Sequence, residues 1–553
     1  MAGNSLQKKA GDEAIGATAA VAGGVLLILG AAQFLMILDT SVMNVSIATV
    51  AEDVGTTIAG IQTAITLFTL VMATLMITGG KIGTIIGRRR AFNIGLVIYA
   101  CGSFTTAIAP NLAVLLIGWS LLEGIGAALI MPAIVALVAG NVKVDERPRA
   151  YGLIAAAGAI AVAVGPLIGG FCTTFFSWRW VFAGEVLIAI VILAMARRLA
   201  ESPVEAKAHL DLVGTLLTVV GLGSIVYGVL RSGDWGWVTP KSGAPALFGI
   251  SLTTWLLLFG LLVIYSFGAW EQYVQKRGGD PLVRPGTLKN EQLAGGLSMF
   301  FFQFLLQGGY FFIVPLFMSV VLELNALQTG ARLVPLSLTL IVAAVGIPKV
   351  WPKASPRQVV RIGVFLMLAG LLSLLAGIDL DASVAVVSVP MLLMGFGMGA
   401  LASQLGSVTV SALPTERSGE VGGLQNTASN LGISIGTALA GSVLFAVLTM
   451  SMIEGIQQNP QVPEEVKSQA GVQLAPGVPF ISDTALETAL TDAGVSPEVT
   501  DSVLAENREA RVAALDTAIA LLAVLALVSL FFTGNIPGAQ PGATAELVEP
   551  GQS

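Results

Sequence analysis

Charge and histidine are scarce in this chain. Only 11% of its 553 residues are charged and 55% are hydrophobic, which is too apolar for a soluble protein of this length. The single histidine, His209, excludes zinc-protease motifs and most metal sites. The two cysteines, Cys101 and Cys172, both fall inside apolar runs, so no disulfide framework is expected. This composition predicts a membrane protein that crosses the bilayer many times.

Signatures of nucleotide binding and of covalent catalysis are missing as well. Lys81 follows two glycines but precedes Ile82, which breaks the phosphate-binding loop pattern. Residues 432–436 match a serine-hydrolase pattern, yet Ser434 lies in a glycine-rich apolar run and would need a histidine partner. We therefore expect a protein that is not an enzyme and has no metal site, no cofactor and no nucleic-acid partner.

Apolar runs long enough to cross a bilayer recur along the chain. If the N-terminus is cytoplasmic, most of the 28 Lys and Arg residues fall on the cytoplasmic side, where cations near helix ends are retained. We expect both termini in the cytoplasm and a location in the cell membrane. The runs predict an all-α protein with fourteen membrane helices, at 21–48, 60–79, 91–110, 112–140, 150–172, 181–199, 210–230, 245–268, 293–321, 329–348, 360–378, 383–411, 421–450 and 512–533.

A basic, glycine-rich stretch separates the second and third apolar runs. Residues 79–90 read Gly-Gly-Lys-Ile-Gly-Thr-Ile-Ile-Gly-Arg-Arg-Arg. We predict a tight loop there, because glycine permits sharp turns and close helix packing. Its four cations favour the cytoplasmic side of the membrane. On charge alone, a loop that only sets the topology is an equal alternative.

The spacing within this stretch is more specific than its charge. It resembles the signature loop of the major facilitator superfamily, which joins the second and third helices and bears on gating between two halves. Thr84 departs from the pattern, since an acid is usual at that position. The resemblance implies gating or structural roles for Gly80, Lys81, Gly83, Gly87, Arg88, Arg89 and Arg90.

Further motifs are similar to those of the fourteen-helix drug:proton antiporters of that superfamily. Residues 38–44, Leu-Asp-Thr-Ser-Val-Met-Asn, resemble their first-helix motif, with an acid and an amide near the outer end. Ser120 departs from their fourth-helix motif, which usually has an arginine there. Their fifth-helix motif implies a kink and close packing between the halves at Gly165, Pro166, Gly169 and Gly170.

The resemblance implies a major facilitator fold of two six-helix halves with two inserted helices. Its units would be a cytoplasmic tail (1–20), the first half (21–199), the inserted helices (200–268), a cytoplasmic connection (269–292), the second half (293–533) and a cytoplasmic tail (534–553). The second half includes an acidic outer loop, 451–511, that would suit an envelope partner. Within this loop, Ser482 and Ser496-Pro497 are typical helix starts, the second of which would run on into the last span.

Two carboxylates stand alone in long uncharged runs. Asp39 is the only charged residue between Glu13 and Glu52, and Glu123 lies about 17 Å into the fourth span at 1.5 Å per residue. An ionisable group inside a membrane is costly unless it is paired, hydrated or protonated, so it indicates function. We predict that Glu123 couples transport to protons, with Asp39 as its outer relay or as a second contact for a cation.

Purely structural roles for these acids are open alternatives. Asp39 could cap backbone groups of its own helix or bond Asn44 in a hydrated vestibule. Glu185, at the top of the sixth span, fits function and interface placement equally well.

Polar side chains in the ninth span offer a complementary surface. Gln303, Gln307 and Tyr310 share one helical face by their spacing, and in the family this helix begins the second half and lines a central cavity. The alternative is a helix whose aromatic face contacts lipid. The predicted substrate contacts are Asp39, Asn44, Gln303, Gln307, Tyr310 and Gln404.

These features predict a proton-coupled exporter of amphipathic, cationic compounds. Acids would attract the cation, aromatic side chains would hold its apolar body, and proton uptake from outside would drive its release. We expect a monomer in the plasma membrane. Two alternatives stay open: an exporter of the same fold with a lipid, siderophore or amino acid as cargo, and a membrane enzyme or scaffold.

Overall fold

The computed structural model describes residues 2–56, 58–201, 209–241, 243–324, 326–379, 384–459, 480–492 and 495–540. Each predicted span coincides with a long helix, and two short antiparallel strands, β1 (Ala246–Leu247) and β2 (Ile250–Ser251), precede the eighth. The helices are α1 (Ala2–Asp53), α2 (Ile58–Ile86), α3 (Arg88–Ala107), α4 (Leu112–Asn141), α5 (Arg147–Phe175), α6 (Arg179–Met195), α7 (Leu212–Trp235), α8 (Leu252–Lys276), α9 (Glu291–Val321), α10 (Ala326–Val350), α11 (Pro356–Leu375), α12 (Ser388–Val410), α13 (Ser418–Gln458) and α14 (Pro497–Phe532).

Thirteen helices in the described residues are long and apolar enough to cross a membrane. The remaining member of the predicted fourteen is α3, whose first turn consists of three arginines and which has 20 residues. At 1.5 Å per residue α3 is about 30 Å long, the thickness of a hydrocarbon core. It packs against α4 and α6. Its length and neighbours are those of a membrane helix with a charged end.

The first helix is longer than its predicted span, because the backbone of α1 is already helical at Ala2. The part of α1 that is apolar enough to cross a membrane, Gly23–Met43, lies within the predicted 21–48. One predicted loop is wrong. The predicted loop at 79–90 is almost entirely helical, because α2 continues to Ile86 and α3 begins at Arg88. The turn between them is Gly87 alone, whose φ of 98° is open to glycine and strained for other residues.

The bundle has two main apolar cores. The larger core joins α9 to α14. The second joins α1 and α3 to α6 and continues into the second half through Leu293, Leu297, Val410 and Val421. Across the halves, α5 packs on α10 and α2 packs on α13. The inserted helices α7 and α8 pair with each other, and α7 also contacts α2 and α13. The division into units proposed from the sequence stays a prediction, since helix packing does not test its membrane sides.

The glycine motif of α5 serves packing inside the first half. A Cβ on Gly165 would lie 2.4 Å from Ser41 Oγ, and one on Gly169 would lie 3.1 Å from a methyl carbon of Val42. These glycines therefore let α5 approach α1, whereas the sequence predicted close packing between the halves. A Cβ on Gly170 would meet open space, and the side chain of Pro166 lies outside the described residues.

The segment between α13 and α14, which we expect on the outer side, is shorter than predicted. Helix α13 extends to Gln458 and α14 starts at Pro497. A short helix, Asp483–Asp492, lies between them, and its start is capped by Ser482 Oγ, which accepts a hydrogen bond from Ala485 N at 3.2 Å. Both predicted helix starts are confirmed. Residues 460–479 of the predicted loop lie outside the described part of the chain.

Candidate functional site

Three buried carboxylates meet inside the first half. Asp39 on α1, Glu123 on α4 and Glu185 on α6 each have at most 1% of their surface exposed. One oxygen from each lies within 4.8 Å of the others. Sequence position suggested an outer Asp39 and an inner Glu123, and the structure brings an oxygen of each within 4.8 Å of the other. We call these three residues the carboxylate cluster.

Neutral donors hold one oxygen of each acid. Trp119 Nε1 donates to Asp39 Oδ1 at 2.8 Å, and Thr106 Oγ1 donates to Glu123 Oε1 at 3.1 Å. Glu185 Oε2 accepts from Tyr99 OH at 3.0 Å and from Ser103 Oγ at 3.2 Å. The second oxygens, Asp39 Oδ2, Glu123 Oε2 and Glu185 Oε1, have no donor among the described groups. Oxygens at this spacing can ligate one small cation, and repulsion between acids this close favours a proton on at least one of them.

Local helix geometry brings Glu123 to the cluster. Residues Leu116–Glu123 of α4 form a π-helical segment, a distortion that is frequent at functional sites. A Cβ on Gly102 of α3 would lie 2.6 Å from Glu123 Cγ, so glycine makes room for the acid. Ser120, where the family motif has an arginine, donates to the Ala64 carbonyl oxygen at 2.8 Å. The position that could have supplied a cation therefore bonds the backbone of α2.

A cavity of about 490 Å³ lies between the halves. Helices α1, α2, α4 and α5 line it from one side, and α9, α10, α12 and α13 from the other. None of its described lining residues is charged. Six of them are carboxamides: Gln33, Gln303, Gln307, Gln425, Asn426 and Asn430. Its aromatic lining consists of Phe68, Trp119, Tyr151, Phe300, Phe304 and Phe311.

The predicted substrate contacts separate into two groups. Gln303 and Gln307 line the cavity, and the buried Gln303 Oε1 has no hydrogen-bond partner among the described groups. Tyr310 does not line it, because this residue packs in the apolar core of the second half. Gln404 also lies elsewhere, with its Oε1 accepting a hydrogen bond from Gln540 Nε2 at 3.0 Å. The side chain of Asn44 lies outside the described residues.

Trp119 and Glu185 are the residues that sequence reasoning missed or left undecided. Trp119 belongs to the cavity wall and also bonds Asp39. Its spacing of four from Glu123 places both on one face of α4, a signal that the sequence does contain. No sequence pattern reveals that α6 turns Glu185 towards the other two acids.

Comparison with known proteins identifies the family. The model of the Major Facilitator Superfamily matches residues 29–437. This chain belongs to the major facilitator superfamily. The prediction drawn from the motifs is therefore confirmed, and the multi-pass helical fold is that of a membrane transporter.

Curated relatives within the superfamily are drug-resistance and export proteins. Puromycin resistance protein pur8 of Streptomyces alboniger is 28% identical over 76% of this chain and 81% of that protein. Multidrug resistance protein Stp of Mycobacterium tuberculosis is 25% identical over 80% of this chain and 79% of that protein. Cephamycin export protein CmcT of Amycolatopsis lactamdurans is 29% identical over 75% of this chain and 83% of that protein. These relatives support efflux by this chain and agree with the resemblance to drug:proton antiporters.

Solved structures of the superfamily share the fold. The human organic anion transporter MFSD10 has a TM-score of 0.56 at 15% identity and covers 93% of this chain and 99% of its own. The proton:xylose symporter XylE has a TM-score of 0.56 at 12% identity and covers 95% of this chain and 99% of its own. At such low identity the likeness shows the major facilitator fold alone.

The superfamily's signature stretch closes one end of the bundle, which we call the basic end. A Cβ on Gly80 of α2 would lie 2.3 Å from the Gly419 carbonyl oxygen of α13, so the two helices touch through their backbones. Arg88 Nη2 donates to the carbonyl oxygens of Thr415 at 2.5 Å and Glu416 at 2.9 Å. Arg88 therefore joins the two halves through backbone acceptors.

Other cations of the stretch bind connecting segments. Lys81 Nζ lies 2.7 Å from Asp280 Oδ1 in the connection between α8 and α9. Arg89 Nε lies 3.2 Å from Glu201 Oε2, while Arg90 is exposed. Thr84 Oγ1 donates to the Gly80 carbonyl oxygen at 3.2 Å within α2. In this major facilitator protein Asp280 thus provides Lys81 with an acidic partner from outside the motif.

Proposed function

We propose that this chain is a proton-coupled antiporter that exports amphipathic, cationic drug-like compounds across the plasma membrane. The observation that carries the proposal is the carboxylate cluster, which lies one indole ring away from the cavity between the halves. The names of the curated relatives, which are drug-resistance and export proteins, support the export of drugs.

The carboxylate cluster has the properties of a proton site. Ionised carboxylates this close repel one another strongly when water is excluded, so the three acids cannot all be charged together. None of the ion pairs in the described residues involves Asp39, Glu123 or Glu185. The second oxygens have no described donor, so a proton bound to any of the three acids would lower the repulsion between them. A change in the number of bound protons is therefore the simplest response of this cluster to external pH.

The cavity suits amphipathic cargo. Its volume of about 490 Å³ lies in the range of drug-binding pockets. Aromatic faces can hold an apolar body or a delocalised cation, and carboxamides can pair with carbonyl, amine or hydroxyl groups of many ligands. A zwitterionic amino acid would find no charged partner among the described lining residues. The cavity thus favours drug-like cargo over that alternative.

Coupling follows because a proton and a cationic substrate compete for the negative charge of the carboxylate cluster. A proton that enters from outside would neutralise part of the carboxylate cluster and weaken its attraction for a cation in the cavity. Loss of that proton to the cytoplasm would restore the attraction. Repeated cycles would move cation outward and proton inward, provided that the basic end faces the cytoplasm and both termini lie there.

Transport of a cationic dye tests the coupling. In everted vesicles, we expect an imposed proton gradient to drive ethidium uptake and a protonophore to abolish it. Glu123→Gln should abolish gradient-driven uptake while ethidium still binds, because the neutral amide cannot load and release a proton. Glu498→Gln, which changes an exposed acid at the start of α14, is the matched control and should transport normally.

A second readout reports protons directly. Addition of ethidium to detergent-solubilised protein should release protons from the native chain and none from Glu123→Gln. If Glu123→Gln pumps ethidium at the native rate with unchanged pH dependence, Glu123 is not the coupling acid. Resistance profiling then distinguishes drugs from a lipid or siderophore as cargo.

The proposal extends to the oligomeric state and to the part of the chain that a partner could bind. We infer that the chain works as a monomer, since both halves of one chain build the cavity. The outer segment between α13 and α14 would be the part available to an envelope partner.

A further inference from the structure

Trp119 touches both the cavity and the carboxylate cluster. Its indole N–H donates to Asp39 Oδ1 at 2.8 Å, and its ring forms part of the cavity wall. None of its surface is exposed to solvent. Asp39, Glu123 and Glu185 are not among the lining residues of the cavity. In this conformation the fully buried Trp119 therefore separates a substrate in the cavity from the three acids.

A second aromatic ring fixes the orientation of Trp119. The rings of Trp119 and Phe68 are stacked, with centroids 5.0 Å apart and an interplanar angle of 3°. Phe68 belongs to α2 and also lines the cavity. The bond to Asp39 holds the edge of the indole and Phe68 holds one face. Loss of either contact would give the indole room to turn.

We infer that Trp119 is the positioning residue through which the charge of the carboxylate cluster controls substrate binding in the cavity. This inference rests on the proposed proton coupling and names the group that transmits it. A carboxylate accepts a stronger hydrogen bond than a neutral carboxyl group does, so ionised Asp39 holds the indole firmly. Protonation of the cluster weakens this bond, so the indole can turn and change the wall of the cavity.

The surroundings of Asp39 allow the cluster to act as one unit. The titratable groups that face it are Glu123 on α4, Glu185 on α6 and Tyr99 on α3. Helix α2 contributes Phe68 and Ala64 near Trp119 and Ser120, and its only charged residue is Lys81 at the basic end. Helix α5 has no charged residue between Ala150 and Phe175. Protons on the three acids are therefore what changes the charge behind Trp119.

Replacement of Trp119 by phenylalanine tests the relay, because Trp119→Phe keeps an aromatic ring and removes the N–H donor. We expect ethidium affinity in the native protein to rise roughly tenfold between pH 6 and pH 8, equivalent to about 1.4 kcal/mol. In Trp119→Phe the ratio of affinities at the two pH values should fall below about twofold, and ethidium should no longer release protons.

Trp178→Phe is the matched control for this change. Trp178 is buried and its indole N–H donates to a carboxylate, Asp53 Oδ2, at 2.8 Å, yet it does not line the cavity. This variant should keep the native pH ratio. A pH ratio in Trp119→Phe equal to that of the native protein would overturn the relay.

Asp39→Asn provides an independent test if Trp119→Phe fails to fold. The amide leaves Trp119 in place and makes its acceptor permanently neutral, while Glu123 and Glu185 still titrate. We expect binding fixed at its low-pH affinity, and retention of the native pH ratio would contradict the relay. If the native protein itself shows neither pH-dependent binding nor proton release, the proposed proton coupling fails instead, so the two failures are distinguishable.

Discussion

Individual side chains in α9 show how a shared helical face divides into two roles. Gln303 and Gln307 reach the cavity, whereas Tyr310 is 1% exposed and packs in the core of the second half. Its hydroxyl has no hydrogen-bond partner among the described groups. Spacing places residues on one face of a helix, but the neighbouring helices decide which end of that face is open.

This division predicts opposite results for two alanine substitutions. Gln307→Ala should change the relative resistance to different drugs by up to about 1–2 kcal/mol in binding, at normal protein levels. Tyr310→Ala should lower the amount and thermal stability of the folded protein, because deletion of a buried aromatic ring costs about 3–5 kcal/mol. Drug-resistance profiles and thermal unfolding of both purified variants measure these effects.

Tyr310→Phe is the control for the second substitution. It removes only a buried hydroxyl without a described partner, so stability should stay the same or increase slightly. A change in drug selectivity with normal stability in Tyr310→Ala would assign Tyr310 to the cavity after all.

At the scale of helices, α2 and α13 meet through glycine at the basic end. The approach leaves no room for a side chain at Gly80, since a Cβ there would lie 2.3 Å from a backbone oxygen of Gly419. A Cβ on Gly83, three residues further along α2, would meet Ala91 Cβ at an ordinary 3.7 Å. The two positions therefore offer a matched pair of substitutions.

Gly80→Leu should keep the basic end from closing and stop transport, because backbone atoms cannot yield to the added side chain. In Gly83→Ala the basic end should close normally and transport should be unchanged. Both can be measured by maleimide labelling of a cysteine placed at Asn426, which lines the cavity, after Cys101 and Cys172 are replaced by serine. Faster labelling from the basic end in Gly80→Leu is expected, and equal rates in both variants would show that this contact is not a gate.

For the whole molecule, the proposed orientation places the basic end in the cytoplasm and the short helix Asp483–Asp492 outside. Arg90 and Glu487 are both exposed and lie in these two regions. In intact cells, an impermeant maleimide should label Glu487→Cys, and it should label Arg90→Cys only after permeabilisation. The reverse pattern would invert the topology and with it the proposed direction of proton flow.

The sequence by itself determined the number and position of the membrane helices, the family and the two isolated acids in the first half. Hydropathy, glycine spacing and lone charges are local properties of the sequence. They are enough to locate membrane helices and functional acids, because burying a charge or an unpaired backbone group in lipid is costly. The local pattern gave a wrong prediction at residues 79–86, where glycine spacing suggested a loop but the backbone is helical. Glycine is required there because α2 and α13 are in close contact.

Only the tertiary structure decided which side chains meet. It brought Glu185 to Asp39 and Glu123, placed Trp119 between these acids and the cavity, and left Tyr310 and Gln404 away from the cavity. These outcomes depend on the rotation and tilt of each helix, which are set by packing against neighbours from distant parts of the chain. Because spacing along one helix carries no information about those neighbours, the carboxylate cluster and its indole partner could be recognised only in the assembled bundle.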